Sequence, residues 1–175
     1  SIQDEANVKS CRIVSNRQLF IQQGKTYSPN TITLTPVLQY VNFSKWQYND
    51  TGTTKNVVSG QNGLTVNANN QLIISNTSAL FDYTDAITFT AITDSVDIYD
   101  TYTVARLTDG KDGLTIILTN ETQSFTTDSQ GRALSNQTYT SDILVYRGST
   151  PCAFTNSLST TTVNNITAKK ITDSQ

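Results

Sequence analysis

Residues 31–35 set the terms for this chain: Thr31, Thr33 and Thr35 alternate with Ile32 and Leu34. A period of two places the threonines on one side of an extended backbone and the aliphatic residues on the other. The pattern returns in Lys45-Trp46-Gln47-Tyr48, in Ile87-Thr88-Phe89-Thr90-Ala91 and in Tyr102-Thr103-Val104-Ala105. Shorter runs, Leu64-Thr65-Val66 and Leu72-Ile73-Ile74, flank the Asn67–Asn70 turn. Asn49-Asp50-Thr51-Gly52, Ser59–Gly63 and Asp94-Ser95 supply further breaks. Composition agrees, because 63 of the 175 residues are Thr, Ser or Asn. Threonine suits a pleated, half-wet surface, while Asn and Ser compete with helical hydrogen bonding and favour turns. Fourteen Tyr and Phe side chains supply enough apolar surface to argue against disorder. An all-β chain is expected.

About seven strands fall within the first 108 residues, the number and size of an immunoglobulin-like sandwich. Such domains pack a strand C tryptophan against a disulfide between strands B and F. Leu34 lies twelve residues before Trp46, where the first cysteine would stand. Asp85 to Ala91 repeats the strand F spacing, with Phe89 for the tyrosine and Ala91 for the second cysteine. Leu34, Trp46, Phe89 and Ala91 are therefore expected to form a core in which apolar contact replaces sulfur. Cys11 and Cys152 stand near opposite ends of the chain. They are expected to be free thiols.

The clearest boundary is Asp109-Gly110-Lys111-Asp112-Gly113. The expected organisation is an N-terminal extension (1–14), a sandwich (15–108), an Asp-Gly linker (109–113) and a second β module (114–175). Leu114–Thr119 and Ile143–Tyr146 read as strands of that second module, with Asp128–Gly131 as a turn. It is too short for seven strands, so a truncated immunoglobulin-like module is expected.

The order of these motifs resembles the serial immunoglobulin-like modules of phage and prophage tail-fibre and tail-tip proteins. The resemblance rests on Ile32–Thr35, Trp46–Tyr48, Asp100–Val104 leading into Asp109–Gly113, and then Thr115–Glu121 and Val145–Thr150. It covers roughly residues 15–155. It implies a non-enzymatic, structural role in a virion tail, with other tail subunits as partners, homo-oligomerisation as a trimer, and contact with the host surface. A bacterial cell-surface adhesin or carbohydrate-binding module is the alternative.

The chain holds no histidine, which removes every imidazole base and every His-ligated metal or haem site. A net charge of −2 disfavours a nucleic-acid surface, and no apolar run is long enough to insert into a membrane. No catalytic residue, cofactor or metal site is expected. Asp109 and Asp112 flank glycines without the spacing of a calcium loop and read as turn residues. Asp94, Asp97 and Asp100 read as solvated acids at hairpin ends rather than a glycosidase pair. No Lys sits in an apolar run, which disfavours a Lys–Asn isopeptide bond. Six Asn-x-Ser/Thr triplets, among them Asn42, Asn76 and Asn165, match what such a composition gives by chance. Tyr40, Tyr48, Tyr99 and Tyr102 are the candidate glycan contacts, because tyrosine offers a flat apolar face with a polar tip.

Overall fold

The computed structural model describes residues 8–109, 114–118, 142–152, 160–163 and 166–169. Ten strands build a two-layer sandwich: β1 (Ser10–Ser15), β2 (Leu19–Gln23), β3 (Thr26–Ser28), β4 (Thr31–Gln39), β5 (Phe43–Asp50), β6 (Thr53–Asn56), β7 (Leu64–Val66), β8 (Leu72–Ser75), β9 (Ala86–Thr93) and β10 (Tyr99–Leu107). One sheet has the order β1-β4-β8-β7 and the other β3-β2-β10-β9-β5-β6. Every pairing is antiparallel except β2 with β10. This is the A-B-E-D and G-F-C order of the immunoglobulin sandwich, with the first strand split between the layers. The chain is all-β and sandwich-like. Beyond it lie a three-stranded sheet, β11 (Leu114–Leu118), β12 (Ile143–Arg147) and β13 (Thr150–Pro151), and a hairpin, β14 (Thr160–Val163) with β15 (Ile166–Lys169).

The sandwich begins earlier than expected. Residues 10–14 do not form an extension: β1 pairs with β4 along its whole length, and Cys11 and Ile13 are buried. These two alternate with Ser10, Arg12 and Val14, a short period-two signal like the others. Of the Asp-Gly linker only Asp109 is described. Asp112, the Asp128–Gly131 turn and Asn165 lie outside the described residues.

Leu34, Trp46, Phe89 and Ala91 are all 2 % exposed or less. Trp46 stands directly opposite Ala91, so the small methyl makes room for the indole. Its ring lies 5.8 Å from that of Phe43, and its N–H donates to the Asn70 carbonyl at 2.7 Å. That carbonyl is aimed by the Asn67–Asn70 turn, where Asn67 Oδ1 accepts the N–H groups of Asn69 and Gln71 and Asn70 adopts a left-handed φ of 60°. Phe89 continues an aromatic row, with Tyr48 opposite it on β5 and Tyr102 opposite it on β10. No tyrosine hydroxyl is available at Phe89, and the contact there is with the Tyr48 ring at 6.5 Å.

Asp100 continues the Trp46–Ala91 row inward on β10 and is 3 % exposed. Its Oδ2 accepts the Ile13 N–H at 2.8 Å, which ties β1 of one sheet to β10 of the other. The acid expected in water at a hairpin end is instead an internal strut. Further down β10, the Arg106 guanidinium lies over Tyr27 (4.7 Å to its centroid) and Phe81 (5.6 Å). It donates to the carbonyls of Asn76 and Ser78 and pairs with Asp82 at 3.2 Å. These contacts hold a short 3-10 helix, Ala79–Phe81, against the sandwich.

Candidate functional site

The four candidate tyrosines do not converge. Tyr48 is 6 % exposed and Tyr102 is half-buried on the core-facing row, where burial raises its hydroxyl pKa. Both are packing residues: an inward Trp46 forces its i+2 neighbour Tyr48 inward as well, and Tyr102 stands opposite the buried Phe89. Tyr40 and Tyr99 are exposed.

The groove with the most suggestive lining was not expected. About 370 Å³ of open space lies between the β5–β6 tip, the Asn62 turn and the segment after the 3-10 helix. Tyr48, Asp50, Lys55, Asn62, Tyr83 and Thr84 are among its lining residues. Tyr83 is 94 % exposed. The rim carries backbone strain: Thr51, a β-branched residue, has φ 47° and Asn62 has φ 54°. Each precedes a glycine that also has positive φ, the pattern of a tight hairpin turn. Gly63 is obligatory here, since a Cβ would stand 3.0 Å from the Ser78 backbone. Ser78 Oγ in turn donates to the Asn62 carbonyl, locking the turn to the 3-10 helix. On the β5–β6 wall Lys55 Nζ meets Asp50 Oδ2 at 2.7 Å, and that hydrogen bond holds the ammonium above its usual pKa. The Asn62 side-chain amide makes no hydrogen bond among the described residues.

A second assembled feature joins the sandwich to the following sheet. Ala105 and Leu107 project from the outer face of β10 and pack with Ile117 of β11, all three at 1 % exposure or less. Leu19, Ala86, Leu144 and Tyr146 surround them. Gln18 Nε2 donates to the Thr103 and Leu118 carbonyls, bridging the two parts. The exit from β10 is fixed as well. The Tyr27 hydroxyl shares a hydrogen bond with Thr108 at 2.8 Å, the Asp109 N–H donates to Gln22 Oε1 at 2.8 Å, and Ser149 Oγ bonds the Asp109 carboxylate. Asp109 is thus a joint residue and not only a turn former.

The remaining acids do not assemble chemistry. Among the described residues no three of His, Cys, Asp or Glu gather as a metal site would require. Both cysteines are free; burial first, and the Asp100 charge second, push the Cys11 thiol up to about 12. Asp94 joins the β4–β5 and β9–β10 loops by accepting the Asn42 N–H at 3.0 Å and its side-chain amide at 2.9 Å. These bonds depress its pKa. A depressed carboxyl stabilises the fold above its unfolded pKa of about 3.9 and stops doing so as pH falls through the folded value. Asp94→Ala is therefore expected to melt below the parent protein at pH 7, with the gap closing on acidification below about pH 4. A gap that persists unchanged at pH 2.5 in thermal melts refutes that account.

No family model, curated protein or solved structure matches this chain.

Proposed function

We propose that this chain is a non-enzymatic spacer from a phage tail fibre or tail-associated virion protein, working outside the cell and holding its successor module in a fixed pose. The observation that carries the spacer reading is the shared core of Ala105, Leu107 and Ile117 with its clasp of Gln18, Gln22 and Tyr27. A flexible connector would leave such side chains in water. Burying them in a joint trades segmental freedom for a defined direction, which is what a force-transmitting or target-presenting fibre needs. The virion assignment itself is supported by the order of sequence motifs.

The test is rotational. In 15N relaxation of the intact chain, residues 114–118 and 143–147 are expected to tumble with the sandwich. Leu107→Asp and, from the other side, Ile117→Asp are expected to release them while the sandwich keeps its own melting transition. Independent tumbling in the parent protein overturns the spacer reading.

A bacterial cell-surface adhesin or carbohydrate-binding module is the second reading. It is favoured by the strained, polar groove beside Tyr83.

A further inference from the structure

We infer that the groove between the β5–β6 tip, the Asn62 turn and Tyr83 binds a neutral saccharide. The inference rests on the carbohydrate-binding reading and is independent of the spacer reading. Sugars present two kinds of surface: C–H faces that stack on aromatic rings, and hydroxyls that both donate and accept. Tyr83 offers the first at 94 % exposure, an unusual state for a ring that packing would otherwise cover. Asp50, Asn62 and Thr84 offer the second. Asp50 accepts, the Asn62 amide both donates and accepts, and the Thr84 hydroxyl, which donates to the Ala86 carbonyl at 3.2 Å, keeps acceptor capacity.

Charge selects the class of sugar. The groove's lysine is already held by its aspartate at 2.7 Å, so their charges cancel and no net field draws an anion. The ion pair also pre-positions the Asp50 carboxylate at the edge of a strand rather than on a free loop. Strain points the same way. Thr51 and Asn62 hold left-handed backbone on two segments that both line the groove, and the Ser78–Asn62 hydrogen bond keeps one of them in place. A turn fixed against the 3-10 helix makes one preformed wall that a ligand need not order.

The experiment uses the intact chain against cellohexaose, maltohexaose and the hexamer of β-1,4-linked N-acetylglucosamine, with sialyl-lactose as an anionic comparison. Isothermal titration calorimetry gives affinity and 15N shift changes give location. Saturable binding of at least one neutral hexamer is expected, with shifts at residues 50–55, 62 and 83–84. Tyr83→Ala is expected to weaken it roughly five- to tenfold, the scale of one lost stacking contact. Asp50→Asn is expected to weaken it also, and Tyr99→Ala to leave it unchanged. Tyr83 is so exposed that its removal leaves the fold intact, which the melting curve verifies. Binding insensitive to both groove variants overturns the site but leaves the carbohydrate reading. No binding of any neutral hexamer overturns both. Preference for sialyl-lactose overturns the neutral assignment.

Discussion

Trp46→Ala is expected to cost the sandwich about 3–5 kcal/mol, the range for deleting a fully enclosed large aromatic. The indole is 2 % exposed, fits over the Ala91 methyl and closes a 2.7 Å hydrogen bond to Asn70. Its loss opens a cavity and removes the hydrogen bond to the Asn70 carbonyl. For a domain of about 100 residues this corresponds to a fall of roughly 15–30 °C in Tm, a third or more of an ordinary stability. Trp46→Phe is expected to cost less, because much of the volume stays and only the N–H is removed. Urea denaturation followed by tyrosine fluorescence and circular dichroism measures both. A loss under about 1 kcal/mol for Trp46→Ala, well short of that cavity range, shows that the indole does not clamp the two layers.

The second large effect belongs to Asp100. Asp100→Ala leaves the Ile13 N–H without its acceptor in the interior and separates β1 from β10, at an expected cost of about 2–3 kcal/mol. The substitution carries a chemical signature that a packing defect lacks. The Asp100 charge is one of the two causes that raise the Cys11 thiol to about 12, burial being the larger. Asp100→Asn keeps the shape and removes the charge, so the Cys11 pKa is expected to fall part of the way back toward 9.0. Thiol labelling of folded protein across pH 8–11, with Cys152 replaced by serine, reports it. An unchanged labelling profile overturns the pairing of the two groups.

The core was readable from spacing because period two fixes which side chains share a face. Leu34, Trp46, Phe89 and Ala91 follow from that rule, and Tyr48 does too: its place two residues after an inward Trp46 outweighs its polar tip. Tyr102 and Asp100 required the register. Only when β10 is laid beside β9 does Tyr102 fall opposite Phe89 and Asp100 opposite Ala91, and no local signal announces a buried carboxylate. The groove was invisible for a related reason. Asp50 at the end of β5 and Asn62 and Tyr83 on two loops come from separate stretches, brought together by contacts distant in sequence. The joint between the modules did leave a trace. Val104 and Ala105 are consecutive apolar residues, where strict alternation fails, and both are fully buried. A strand apolar on both sides is covered on both sides.

That double coverage bears on how such chains are inherited. Leu19, Ala105 and Leu107 face outward from the sandwich and are roofed by Ile117 of β11 and by Leu144 and Tyr146 of β12. A recombination event breaking at the Asp-Gly boundary would carry away the roof and leave a sticky flank, so the unit that can be shuffled between genes without penalty is the pair and not the single bead.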